Sequence, residues 1–422
     1  AKALTKKREL VAEVTFAPFA SDISKPTLLV KLADKALAKF AIRILPVVAE
    51  EAFSPARFRP AQSNVRASGR FQSTQGAPLT PTPHYNMSVL EDIDSSSYRA
   101  HLRLLHVVQA ECQSFAQTCV LLKVWARVNG FSKDAHPDAF HEGLLVLLLA
   151  HLLLDRHLNA TMSVQQMFRS LMAYVSTTDL AAGKVLRMRP AFQVAPEIHE
   201  GFEDSALRGA FAINLVGPCG RLNFSWRVSR TAWAALRAQA NSATQILERS
   251  SRDGGKDTFS ALFTTKVNMW QQFDKYIAIQ APRLELAQDA ELSPEVYAEM
   301  CDLPWDAFLR RRAEAIFHRA FVESGRATDM RIIVNTDQAR SWQPSEAPEL
   351  GNILVCLRLD LTQAFRQLDK GPGADMPKAA AGFRAFWGDR AELRRFRDGS
   401  ILETLDWTED ARKGDLLWAI AA

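Results

Sequence analysis

The sequence predicts an α+β multidomain protein. Short runs near the start, Val14-Thr15-Phe16 and Thr27 to Lys31, look like strands. From His101 to Asn129 the spacing changes to three and four residues, the period of a helix. Strand-like segments return from Met330 and lead to an Asp398-Gly399 dipeptide between two apolar runs, a strong hairpin signal. With 422 residues and 47% hydrophobic content, the chain can bury two or three cores. Its 23% charged residues and 24 phenylalanines are those of a globular protein rather than a disordered one.

Residues 1–66 read as strands of a mixed sheet. Pro26 suits the start of the second strand, and Phe40 to Val48 reads as a third, interrupted by Arg43. Residues 67–85 read as a linker, with Pro78, Pro81 and Pro83 in a polar run. A helical domain follows over 86–190. One long helix is expected across Leu102, Leu105, Val108, Cys112, Phe115, Cys119, Leu122 and Trp125, stopped by Gly130. A second covers His141 to Asp155, and a third starts after a Ser163 N-cap.

The remainder, 191–422, reads as an α+β body. Expected there are a turn at Gly217-Pro218-Cys219-Gly220, a helix from Thr231 to Ser250 and helices over Phe259 to Ile279. A helix from Pro304 to Ser324 carries Arg310, Arg311 and Arg312 on one side. Strands Met330–Asn335 and Asn352–Leu359, helices Asp360–Leu368 and Lys378–Trp387, and the Asp398-Gly399 hairpin complete the order.

The net charge of +5 favours a polyanionic partner without requiring one. Five cysteines, none in a CxxC pair, argue against a disulfide framework or a zinc site, and reduced thiols are expected. The run Leu144 to Leu154 is too short to span a bilayer and reads as a buried helix. No signal peptide is read at the start, and the chain opens on Ala1-Lys2 rather than Met, so it is expected to be part of something longer.

Asp134, His136, Asp138, His141 and Glu142 crowd together, but their spacing fits no zinc template, and a solvated loop is the better reading. Glu403 and Asp406, three apart on a strand, point to opposite faces and cannot form a two-metal site with one another. His84 lacks a neighbouring nucleophile, and a Pro-fixed turn capped by Asn86 or Ser88 is expected. The cluster that merits a functional reading is basic and aromatic. Arg384, Arg390, Arg394, Arg395 and Arg397 alternate with Phe383, Phe386, Trp387 and Phe396. Guanidinium forks bind phosphate, and aromatic faces stack on bases. Set against that reading, the aromatics would be core and the arginines would pair with Asp389, Glu392 and Asp398.

Three strings resemble motifs of the nucleolar RNA-associated protein (Nrap) family. They are Pro83-His84-Tyr85-Asn86 with Val89-Leu90-Glu91-Asp92, Leu121-Leu122-Lys123-Val124-Trp125, and Phe386-Trp387-Gly388 through Glu392-Leu393-Arg394-Arg395-Phe396 to Asp398-Gly399-Ser400-Ile401. The resemblance implies tandem modules built like CCA-adding enzymes. This chain would hold the end of a degenerate nucleotidyltransferase head, a helical poly(A)-polymerase-like neck and an α/β body. The head's Gly-Ser loop and first carboxylates would precede Ala1. The strand that carries a third carboxylate in active relatives would lie at Phe40-Ala41-Ile42-Arg43-Ile44, where no acidic residue stands between Asp34 and Glu50. Arginine cannot ligate Mg²⁺.

The implied function is a non-catalytic nucleolar scaffold of the small-subunit processome, active in pre-rRNA processing, with no cofactor, no metal and no membrane. The implied partners are pre-rRNA, small nucleolar ribonucleoprotein components, other rRNA-processing proteins and casein kinase. The five arginines would contact RNA or a partner. An active RNA nucleotidyltransferase and a scaffold without RNA contact are the alternatives.

Overall fold

The computed structural model describes residues 9–19, 22–37, 39–45, 54–65, 80–93, 95–131, 138–188, 201–253, 257–266, 271–280, 296, 299–300, 302–303, 305–334, 352–414 and 416–421. They divide into two compact units. The first takes those within 1–267 and 283–308, the second those within 268–282, 309–335 and 350–422.

The first unit opens with an antiparallel sheet of β1 (Val11–Phe19), β2 (Asp22–Leu32) and β3 (Ala41–Ile44), in that order. Leu28 opposes both Phe16 and Ile44. The expected third strand covers 41–44, and residues 46–48 lie outside the described residues.

Most of the expected linker, 67–79, also lies outside the described residues, and its last three positions are already helical. Helix α1 (Pro83–Ile93) starts on Pro83, whose fixed φ suits a first turn. Asn86 does not cap it. Its buried amide donates to the carbonyls of Arg59 (2.9 Å) and Gln62 (2.8 Å) and accepts from Asn64 (2.7 Å), clamping the 59–64 loop to the helix. The cap comes from Asp302, which accepts from the Tyr85 N–H (2.9 Å) and lies 3.0 Å from His84 Nδ1.

The single helix expected over 101–129 is two, α2 (Ser95–Glu111) and α3 (Phe115–Val128). The chain turns tightly at 112–114, where the Phe115 N–H bonds the Cys112 carbonyl. Cys112 and Phe115 bury into the same core, so the apolar spacing runs unbroken across the turn. Gly130 ends α3 at φ +79.

Helix α4 (Glu142–Leu154) is buried from Leu144 to Leu152 on every side. Helix α5 (Val164–Thr177) carries a full capping box between Ser163 and Gln166. Strands β4 (Val185–Arg187) and β5 (Asn214–Val216) pair in parallel, with α6 (Asp204–Ala210) between them in sequence.

Helix α7 (Arg230–Asp253) and α8 (Thr258–Phe263) follow. Ser229 caps α7, accepting the Ala232 N–H and donating to Asp138. Trp233, Leu236, Ala240 and Ala243 of α7 share one core with α3, α4 and α5. The helical packing therefore continues past residue 190, where the sequence reading ends it, because the apolar face of α7 completes that core. No helix of the described residues is long and apolar enough to cross a membrane.

In the second unit β6 (Lys275–Gln280) stands where a helix is expected. Tyr276 to Ile279 is compatible with either structure, and pairing with the central strand of the sheet decides it. Helix α9 (Trp305–Phe317), in this unit from Leu309, continues into a π-helical turn at His318–Glu323. Arg310, expected on a basic surface, is buried.

Strands β7 (Ala327–Val334) and β8 (Asn352–Leu359) complete an antiparallel sheet in the order β6-β8-β7. The helix expected over 360–368 is a turn. The Asp360 carboxylate accepts from the amide and hydroxyl of Thr362, and Arg326 takes the carbonyls of Ala364 and Arg366, groups a helix would use internally. Then come β9 (Leu368–Gly373), α10 (Pro377–Trp387), β10 (Glu392–Arg395), β11 (Ile401–Asp406), α11 (Thr408–Arg412) and α12 (Leu416–Ala421). The second sheet runs β10-β11-β9.

Candidate functional site

The basic and aromatic cluster lies on the hairpin β10–β11 and on α10 beside it. The hairpin closes as its sequence demands. Gly399 sits at φ +85, and the Asp398 carboxylate accepts from the Ser400 hydroxyl (2.7 Å) and amide (3.0 Å). Those bonds hold the Asp398 carboxyl below its usual range. Helix α10 presses on β9 so closely that a Cβ on Gly371 would stand 2.8 Å from the Phe383 ring.

The aromatic residues turn inward. Phe383, Phe386 and Trp387 pack against the core of this unit, and Trp387 meets buried Trp407 edge to face at 5.8 Å. Phe396 carries Lys370 over its ring at 4.7 Å.

The five arginines divide into two groups. Arg384 lies 3.4 Å from the buried carboxylate of Glu403. Arg390 pairs with Asp410 at 2.9 Å and lies over Trp407. Arg394 pairs with Asp406 at 2.8 Å. Arg395 and Arg397 are exposed and have no ion pair among the described residues. Of the carboxylates expected to pair with the cluster, only Glu392 does so, at 4.0 Å from Arg394. Glu403 is buried and Asp406 exposed, on opposite faces as their spacing requires. The Thr408 hydroxyl, then Arg394, hold the Asp406 carboxyl far below its usual range.

Two cations escaped the sequence reading. Arg319 stacks on Phe386 at 4.2 Å and donates to the Gly382 carbonyl, and Lys370 covers Phe396. Nothing local marks either, since each reaches its ring from a remote element. Beneath the surface lies Arg326, fully buried, donating to Asp369 at 2.7 Å. Asp369 also accepts from Trp407 Nε1 (2.9 Å) and from Arg366. Burial pushes the Asp369 carboxyl up, and these donors, Arg326 foremost, bring it below its usual range.

The other candidates reduce to local structure. His141 caps α4 through Nδ1, and Asp138 accepts from Ser229. Asp134 and His136 lie outside the described residues. Among the described residues no group of three or more His, Cys, Asp or Glu is placed to hold a metal ion. Arg43 lies on β3, whose four residues are all exposed.

Three family models match in order: Nrap protein domain 1 over residues 1–111, the Nrap protein PAP/OAS-like domain over 114–266 and Nrap protein domain 3 over 269–421. Nucleolar protein 6 of Mus musculus is 28% identical over 95% of this chain and 34% of its own length. That of Homo sapiens is 28% identical over 91% of this chain and 32% of its own, and that of Xenopus tropicalis 26% over 94% and 34%. The chain thus spans about a third of the length of these relatives, whose shared name places them in the nucleolus. Matched along its length by three successive domains of one family, the chain belongs to the nucleolar RNA-associated protein (Nrap) family.

Proposed function

We propose that this protein is a non-catalytic nucleolar scaffold in ribosome biogenesis, working within the small-subunit processome on the processing of pre-rRNA to small-subunit rRNA. The observation that carries the reading is the ordered match of three Nrap domains across the chain. In this reading residues 1–66 end a degenerate nucleotidyltransferase head, a helical poly(A)-polymerase-like neck follows, and an α/β body closes the chain. The PAP/OAS-like match supports that ancestry. The partners are pre-rRNA, small nucleolar ribonucleoprotein components, other rRNA-processing proteins and casein kinase. The surface of Arg384, Arg390, Arg394, Arg395 and Arg397 is where this chain meets one of them.

The test is depletion of the full-length protein, with sedimentation of its tagged form. Co-sedimentation with pre-ribosomal particles and accumulation of unprocessed pre-rRNA on depletion are expected. A protein outside those particles, with normal pre-rRNA processing in its absence, overturns the reading.

The same PAP/OAS-like match favours one rival, an active RNA nucleotidyltransferase. A fold is a poor guide to activity, and Arg43 stands on the strand where active relatives would place a carboxylate. Incorporation of labelled nucleotide with Mg²⁺ or Mn²⁺, abolished by a head-domain Asp substitution in the full-length protein, would establish the rival.

A further inference from the structure

We propose that the free edge of β10 docks an extended, acidic segment of a partner protein that carries an aliphatic side chain and carboxylates on one face, two residues apart. This deepens the scaffold reading and rests on it.

The surface is defined by register. Arg395 opposes Ile401 and Leu393 opposes Glu403, and directly opposed residues of an antiparallel pair share a face. Glu403 is the residue that Arg384 reaches from α10. Leu393, Arg395 and Ile401 therefore share the face flanked by Arg384. Leu393 is 60% exposed and Ile401 42%. Arg395 stands among these two aliphatics without a carboxylate partner among the described residues, and Arg397, likewise unpaired among them, follows at the entrance to the turn.

Strand β10 pairs on one side only, with β11, and no described residue takes its other side. Such an edge offers backbone N–H and C=O groups to an added strand. Side chains of an added strand that share a face stand two residues apart, so an aliphatic would fall beside Leu393 and carboxylates two and four residues away beside Arg395 and Arg397.

Two other occupants fit less well. A second copy of this chain would set one pair of unneutralised arginines against another, a repulsion that excludes self-pairing. RNA would find cations, but the aromatic residues of the cluster face the core or lie under Lys370, and exposed aliphatics have little to offer phosphate. An apolar centre bordered by arginine is the composition of a protein interface.

The test places photoreactive benzoylphenylalanine at position 393 of the full-length protein in cells, with crosslinks mapped by mass spectrometry. The expected product is a peptide of net negative charge with an aliphatic residue two positions from a carboxylate. Arg395→Glu with Arg397→Glu should cut its yield about tenfold or more, because like charges then face each other. Converting the captured peptide's carboxylates to lysine should restore it. An RNA adduct, a crosslink to another copy of the chain, or no crosslink in particles that contain the protein each overturns the inference and leaves the scaffold reading standing. An acidic-peptide crosslink from a protein found outside pre-ribosomal particles upholds the docking edge and overturns the scaffold reading.

Discussion

Helix α4 and Arg326 lie at similar depth in their respective units and meet burial in opposite ways. Around α4 the first unit packs leucine on every side, from Leu144 to Leu152, against Trp125, Phe168 and Trp233. In the second unit a guanidinium with no exposed surface is matched by one carboxylate and two carbonyls. Apolar packing is non-directional, so it tolerates adjustment and specifies geometry loosely. The buried ion pair is directional. It fixes the 364–369 turn and the start of β9, and through Trp407 it meets the ring on which the surface cluster leans. Its weakness is that removing one partner strands the other.

Breaking that pair should give the largest effect. Asp369→Ala leaves Arg326 charged and buried, and is expected to cost about 3–5 kcal/mol. Hydrogen exchange read by mass spectrometry should show lost protection in β7, β8 and β9 while α4 stays protected. Replacing both partners, Arg326→Met with Asp369→Leu, should lose less than the single change. An equal or greater loss would show that the bonds to the Ala364 and Arg366 carbonyls, rather than the charge pair, hold the turn.

In the first unit the comparable change is Leu148→Ala, at a fully buried position of α4. It should cost about 2–5 kcal/mol, depending on how far the neighbours close the cavity. Exchange should rise in α3, α4 and α5, and β7 to β9 should be unaffected. One step down, Ser163→Ala removes half of the α5 capping box and should cost about 1 kcal/mol, with fraying confined to the first turn of α5.

Acid should separate the two regions without mutation. Burial lowers the pKa of His101 in the first unit. A histidine with a depressed folded value contributes stability above its unfolded value, about 6.5, that is lost as pH falls. The Asp369 carboxyl is also depressed, so its contribution is present above the unfolded value of about 3.9 and is lost below that. On acidification the first unit should begin to lose protection near pH 6 and the second nearer pH 4. His101→Gln should remove the earlier loss. If both units soften together near pH 4, His101 contributes nothing.

These contrasts also explain what the sequence could reveal. The Ser163 N-cap, the Gly130 stop and the Asp398-Gly399 hairpin are local, and each stands where it was expected. The break at 112–114 left no trace because both helices face one core, and the apolar spacing carries across it. The turn at 360–367 was hidden because its determinant, Arg326, comes from far along the chain. The candidate site was half legible. Composition marked the arginines of 384–397, but only the fold could show that Glu403, Asp410 and Asp406 take three of them and leave Arg395 and Arg397 unpaired.

That division yields the smallest effect on stability and a sharp one on function. The Arg394–Asp406 pair is partly solvent-exposed, with side chains 39% and 35% accessible, and exposed pairs contribute well under about 1 kcal/mol. Arg394→Ala should therefore shift the unfolding midpoint slightly, and less in high salt. Arg395→Ala, one residue away, breaks no ion pair and should leave the midpoint unchanged. In partner crosslinking from position 393 the order should reverse, with Arg395→Ala losing signal and Arg394→Ala keeping most of it. A surface whose arginines are only structural would show the same order in both measurements. The reversal is what identifies Arg395 as a charge held in reserve for a partner rather than for the fold.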